Sequence, residues 1–186
     1  MNDKAKNALS KNEVKTIVLI PLFSSFISVC SFITVPSAIP FTLQTFGVFA
    51  TLALLGGKLG TLSIVLYIFT GIIGLPVFSG FSGGIGHLFG PSGGYIIGFV
   101  LTSLFYWLIT HLCGDKIFIK ALALIGGALL CYLFGSLWYT FIYFKDLSLS
   151  GFLSSISICI LPFIIPDSVK LALSLIIERR LRKLIK

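Results

Sequence analysis

Asp167 and Lys170 stand three residues apart within an apolar run, a spacing that places both side chains on one face of a helix. Ionisable groups inside such a run are costly to desolvate, so they turn toward a bundle interior or a ligand cavity and pair there. A carboxylate that accepts and an ammonium that donates form a set for holding a polar ligand. The same two groups can equally serve as an ion pair that fixes a kinked helix entry. Residues 40–45, Pro-Phe-Thr-Leu-Gln-Thr, add uncharged donors and acceptors in Gln44 and the threonine hydroxyls. Threonines there also suit a helix start, where a hydroxyl takes an unpaired backbone N–H.

A third candidate is the stretch 74–95, Gly-Leu-Pro-Val-Phe-Ser-Gly-Phe-Ser-Gly-Gly-Ile-Gly-His-Leu-Phe-Gly-Pro-Ser-Gly-Gly-Tyr, which holds eight glycines. Glycine permits positive φ and close backbone approach, and a connection well beyond about 4–6 residues tends to be a lid or binding loop. No strand precedes these glycines and no βαβ unit surrounds them, which excludes a dinucleotide loop. His87, within the stretch, reads as a packed or solvated loop residue, and His111 as interfacial. Trp138 and Tyr139 suit helix packing or an interfacial belt and are also candidates to wall a ligand site.

The elements that must position these residues follow from composition. Of 186 residues, 56% are hydrophobic and 11% charged, against about 45–50% and about 25% in soluble domains. A chain this size cannot bury that much apolar surface in water, so lipid is its solvent. Apolar runs fall at 14–34, 41–56, 59–75, 94–113, 117–141 and 152–184, separated by Pro36 and Pro40, Gly56-Gly57-Lys58, the glycine-rich stretch, Gly114-Asp115-Lys116, and 145–151. The expected fold class is an all-α integral membrane protein with six transmembrane helices, a single transmembrane domain over 1–186. The first run is too long for a signal-peptide core, and no small-residue cleavage site follows it. Pro162 and Pro166 interrupt the last run. Proline fits a first turn but not a helix interior, which predicts a short helix or re-entrant piece at 152–162. The spanning helix then starts at Pro166-Asp167, with Asp167 in its first turn.

Charge sets the orientation. With six spans, twelve of the fourteen Lys and Arg lie on one side: Lys4, Lys6, Lys11, Lys15, Arg179, Arg180, Arg182, Lys183 and Lys186, plus Lys58, Lys116 and Lys120. This asymmetry places the basic N-terminal segment 1–13 and the basic C-terminal end 178–186 on the cytoplasmic side of the cell membrane. The net charge of +8 therefore flanks spans and forms no nucleic-acid stripe. Cys30, Cys113, Cys131 and Cys159 fall one per run without C-x-x-C spacing, as small hydrophobes rather than metal ligands. Asp3, Glu13, Asp115, Asp146 and Glu178 fall in predicted ends or loops, so no carboxylate dyad or metal cluster is expected. Hydrolase, metalloprotease and P-loop signatures are absent; the chain reads as no enzyme and has no means of hydrolysing ATP.

The segments Val-Pro-Ser-Ala-Ile-Pro-Phe-Thr-Leu-Gln-Thr-Phe-Gly-Val (35–48), Gly-Gly-Lys-Leu-Gly (56–60), Gly-Leu-Pro-Val-Phe (74–78), Gly-Pro-Ser-Gly-Gly-Tyr (90–95) and Pro-Asp-Ser-Val-Lys (166–170) resemble, in order and spacing over almost the whole chain, the signature stretches of BioY, the biotin-specific S components of energy-coupling-factor (ECF) transporters. The resemblance implies a six-helix protein that captures biotin from outside, with no cofactor of its own. A coupling transmembrane subunit and ATPase subunits would supply the energy, and they alone would use ATP. It implies binding positions at Gln44, Asp167 and Lys170, with Tyr95 by position. The 79–95 loop, including Ser79, Gly80, Ser82, Gly83 and Gly84, would close over the ligand. Biotin's ureido ring offers two N–H donors and a carbonyl, which a carboxylate, an ammonium and an amide can satisfy. Charged hydrogen bonds of this kind are worth about 1.5–3 kcal/mol each.

Two departures from the family pattern stand out. Where members often carry an asparagine after Gly-Leu-Pro-Val-Phe, this chain reads Ser79-Gly80-Phe81-Ser82. Where S components carry an Ala-x-x-x-Ala strip on the first helix, it reads Ser24-Ser25-Phe26-Ile27-Ser28. Ser24 and Ser28 keep the small-x-x-x-small spacing expected for docking the coupling subunit. The same fold tuned to thiamine or riboflavin, or a membrane assembly protein without a solute, remain the alternatives.

Overall fold

The computed structural model describes residues 11–36, 39–144, 156–157 and 160–185. Among the described residues, regular structure is helical apart from one small ladder. Helix α1 spans Lys11–Phe32, and strands β1 (Thr34–Val35) and β2 (Phe41–Thr42) pair antiparallel, Thr34 opposite Thr42. Helix α2 spans Gln44–Ile72, a 3-10 turn Ser79–Phe81, α3 Ile85–Leu88, α4 Gly93–Cys113 and α5 Ile117–Tyr139, continued by a π-helical turn Thr140–Phe144. Helix α6 spans Leu161–Ile185. The basic segment at 1–10, and most of the expected short helix or re-entrant piece at 152–162, lie outside the described residues.

Among the described residues, four helical stretches are long and apolar enough to cross a membrane: Glu13–Phe32, Gln44–Ile72, Gly93–Cys113 and Ile117–Ile142. The second of these is two rods. Gly56 breaks it at φ 79°, ψ 176°, a region essentially reserved for glycine. A methyl built on Gly60 would come within 3.2 Å of Leu52 Cα, although eight residues of continuous helix are about 12 Å long. Gln44 Nε2 likewise donates to the Tyr67 hydroxyl at 2.8 Å. The halves 44–55 and 57–72 therefore fold back on each other as a helical hairpin, as the Gly56-Gly57-Lys58 breaker predicts. No atom lies within 4 Å of a Cβ built on Gly56, so only its backbone angle demands glycine. We expect Gly56→Ala to lower stability by about 1–3 kcal/mol, read as an earlier thermal unfolding midpoint in detergent. An unchanged midpoint would show that the turn tolerates an L side chain.

The core sits where α2, α4 and α5 meet, around fully buried Leu52, Ile64, Tyr67, Tyr106 and Leu124. Helices α4 and α5 form the most extensive interface because glycines let their backbones approach. Methyls built on Gly98 and Gly127 would come 2.7 Å from Cys131 Sγ and 2.8 Å from Thr102 Cγ2, small-residue packing suited to lipid. Ser24, Ser28 and Ser31 of α1 are 5%, 8% and 0% exposed, and Ser28 Oγ donates to the Ser24 carbonyl. The serine strip faces the chain's own interior, and the lipid-facing side of α1 carries Val18, Leu22 and Val29.

Helix α6 starts five residues before the expected Pro166. Pro162 takes its first turn and Pro166 its interior, so Asp167 lies in the second turn, and neighbours rather than the helix end must satisfy it. Glu178 and Lys120, expected at an end and in a connection, are each 2% exposed. The Lys120 ammonium lies 2.7 Å from Glu178 and 3.1 Å from Asp115 and donates to the Ala53 carbonyl at 3.2 Å. That carbonyl belongs to the last turn before the Gly56 break, where helical partners run out. Two carboxylates thus meet where none were expected to, sharing one ammonium.

Candidate functional site

At the other end of α6, Asp167 and Lys170 are 4% and 5% exposed. An ammonium has three protons to place, and the fold supplies three acceptors: Asp167 Oδ1 at 2.7 Å, the Thr42 carbonyl at 2.7 Å and Thr45 Oγ1 at 3.0 Å. Its charge also lies 4.2 Å from the centre of the Phe41 ring, a favourable cation–π placement. Asp167 Oδ1 accepts a second bond from Thr45 at 2.9 Å, and Oδ2 accepts the Tyr132 hydroxyl at 2.6 Å. Thr42 sits where β2 gives way to α2, and its hydroxyl takes the Gln44 backbone N–H at 3.1 Å. The two roles open to these threonines are divided: Thr42 shapes the helix start, while Thr45 joins the charge pair.

These groups face a narrow cavity of about 60 Å³. Asp167, Lys170, Gln44, Thr45 and Tyr132 supply its polar side, Ile39, Ile96, Phe99 and Phe163 its apolar walls, and Ser79, Ser92 and Tyr95 further polar edges. Acceptors and donors against apolar walls suit a small ligand with one polar and one apolar part.

Of the residues expected at the site, Gln44, Ser79, Tyr95, Asp167 and Lys170 meet at this cavity, and Gly80, Ser82, Gly83 and Gly84 do not line it. Local folding absorbs these four. Gly80 and Gly84 take φ of 69° and 90° to turn the chain. The Gly84 N–H is bonded to the Gly71 carbonyl at 2.7 Å, and a methyl on Gly83 would meet the Leu75 carbonyl at 2.3 Å. Ser82 donates to the Ser79 carbonyl at 2.7 Å, so at its 3.0 Å contact with His87 it accepts from Nδ1–H. Nε2 is then left to accept from Ser92, 3.4 Å away. Burial lowers the His87 pKa and the ring stacks on Phe78, so this histidine is a packed brace behind Ser92. Trp138, a candidate wall, instead donates to the Gly90 carbonyl at 3.0 Å.

Sequence reasoning missed Tyr132, Phe163, Phe99 and Ser92. Only a register for α5 against α6 would have found Tyr132, and an apolar helix does not announce which face it turns inward.

Comparison with known proteins places the whole chain in one family. The BioY family model matches residues 1–186. A probable biotin transporter BioY of Pyrococcus horikoshii is 40% identical over 171 residues, covering 91% of this chain and 98% of the relative. The biotin transporter BioY of Thermotoga maritima is 34% identical, covering 92% and 98%. The crystal structure of the S component for biotin from an ECF-type ABC transporter superposes with a TM-score of 0.80 at 30% identity, covering 95% of both chains. With its whole length matched and its helices, hairpin and charge pair in place, this multi-pass membrane protein belongs to the BioY family.

Proposed function

We propose that this chain is a biotin-specific substrate-binding subunit that takes up biotin across the cytoplasmic membrane. The observation that carries this reading is the buried Asp167–Lys170 pair opening onto a cavity with polar groups on one side and apolar walls on the other. One ureido N–H is bonded by Asp167 Oδ2, the ureido carbonyl takes the Lys170 proton otherwise given to Thr45 Oγ1, and Gln44 lies within the same wall. The fused ring and aliphatic chain lie against Ile39, Ile96, Phe99 and Phe163.

The cavity is smaller than the several hundred Å³ usual for small-molecule sites, so ligand entry needs a wall to give way. Ile39 and the short 3-10 turn carrying Ser79 are the walls that can move without unwinding a spanning helix. Six helical passes, with both termini cytoplasmic, follow if α1, the two halves of α2, α4, α5 and α6 each cross. Helix α6 crosses despite Asp167, Lys170 and Glu178 because those three charges are paired inside the protein. A coupling transmembrane subunit and ATPase subunits supply the energy. The chain itself performs no chemistry on its ligand.

The test is equilibrium binding of biotin to purified protein in nanodiscs, with thiamine and riboflavin as competitors. Saturable binding that only biotin displaces is expected. Displacement by another vitamin, or no saturable binding, would sink the biotin reading.

A further inference from the structure

Two voids meet at Tyr132 and Asp167. Tyr132 lines the interior cavity and also an apolar groove of about 200 Å³ between α5 and α6. Among the described residues, Tyr132 and Asp167 alone line both. The groove opens toward lipid, since Ile125, Leu129 and Ile164 on it are about half exposed. It exists because α6 packs chiefly on α2 and only lightly on α5. The partition between site and bilayer is therefore the Tyr132 ring, held by its 2.6 Å bond to Asp167 Oδ2.

The same bond decides how a ligand can approach the carboxylate. Lys170 and Thr45 both donate to Oδ1, and each carboxylate oxygen accepts about two hydrogen bonds. A ligand N–H must come to Oδ2, beside Tyr132. A substituent on that nitrogen would meet the tyrosine ring where a hydrogen meets only Oδ2.

We propose that Tyr132 is a specificity-determining wall: it holds Asp167 Oδ2 for an unsubstituted ureido N–H and shuts the site from the lipid-facing groove, so that N-substituted ureido ligands are refused. This rests on the biotin reading above and goes beyond it, because it assigns selectivity to a residue at the α5–α6 seam.

The experiment compares biotin with biotin carrying a propyl group on one or the other ureido nitrogen, as affinities for purified protein in nanodiscs. Wild type prefers biotin by about a hundredfold or more over the isomer substituted on the nitrogen that faces Oδ2, since a site built around an N–H rejects analogues without it. Tyr132→Ala opens the groove and shrinks that preference at least tenfold for one isomer. Tyr132→Phe keeps the ring, weakens biotin and leaves the preference in place. Where alanine does not give folded protein, Tyr132→Leu takes its part. A parallel loss for all three ligands in the truncated variant, a changed preference in Tyr132→Phe, or wild type that accepts both propyl isomers as well as biotin would overturn the inference while biotin binding stands. Wild type that binds no biotin overturns the functional reading, and this inference with it.

Discussion

Lys170→Ala is expected to destabilise the protein by about 3–5 kcal/mol, the usual cost of stripping one partner from a buried ion pair, and to abolish measurable high-affinity biotin binding. Asp167 would keep Thr45 and Tyr132 as donors but lose its only cation within 4 Å among the described residues. Asp167→Asn, nearly isosteric, should cost less stability and still weaken binding about ten- to hundredfold for each charged hydrogen bond lost. The double variant Asp167→Leu/Lys170→Met separates the two effects. Removing both charges of a buried pair is often neutral or stabilising, so its thermal midpoint in detergent should recover toward wild type while biotin binding stays absent. If the double variant is no more stable than Lys170→Ala, the cost lies in packing rather than in an uncompensated charge. If it binds biotin, the pair is a structural brace and not the ligand's anchor.

Lys120→Met should destabilise the protein by a comparable amount, about 3–5 kcal/mol, because Glu178 at 2% exposure loses its ammonium and the Ala53 carbonyl loses its donor. Here binding should hold. Glu178 follows Asp167 by eleven residues, about 16 Å along α6, so affinity in folded protein is expected to stay within about threefold of wild type. Lys120→Met/Glu178→Leu should recover stability for the same reason as the first double variant. Asp115→Asn should do little, since the Asp115 side chain is 42% exposed and exposed pairs are worth under about 1 kcal/mol. Thermal unfolding alongside biotin titration reads both. A large affinity loss in Lys120→Met would mean that the two ends of α6 are coupled, contrary to the local role assigned here.

The two charge clusters show how far the residues could be read in isolation. Asp167 and Lys170 were legible because both interrupt an apolar run at helical spacing, and a charge there must find a partner wherever the helix packs. Lys120 and Glu178 carry the same chemistry but sit near breakers and basic ends, where a charge is also content in water. Their burial follows from the Gly56 reversal, which brings an unpaired carbonyl to the place where α5 and α6 meet.

Composition, breakers and charge asymmetry by themselves determined that this is a helical membrane protein, that the chain turns at Gly56, and that one face of the last helix carries a paired carboxylate and ammonium. Only the tertiary structure decided which apolar faces turn inward: that Tyr132 and Phe163 reach the cavity, that Ser24 and Ser28 are closed inside the chain, that α6 begins at Leu161, and that Gly80, Ser82, Gly83 and Gly84 shape a loop without lining the site. The physical reason is the solvent. In water an amphipathic stripe marks the buried face, whereas lipid tails are as apolar as a protein core. Both sides of these helices are therefore apolar, and the inward face is chosen by shape and by glycine notches such as Gly98 and Gly127, which acquire meaning only when a neighbouring helix fills them.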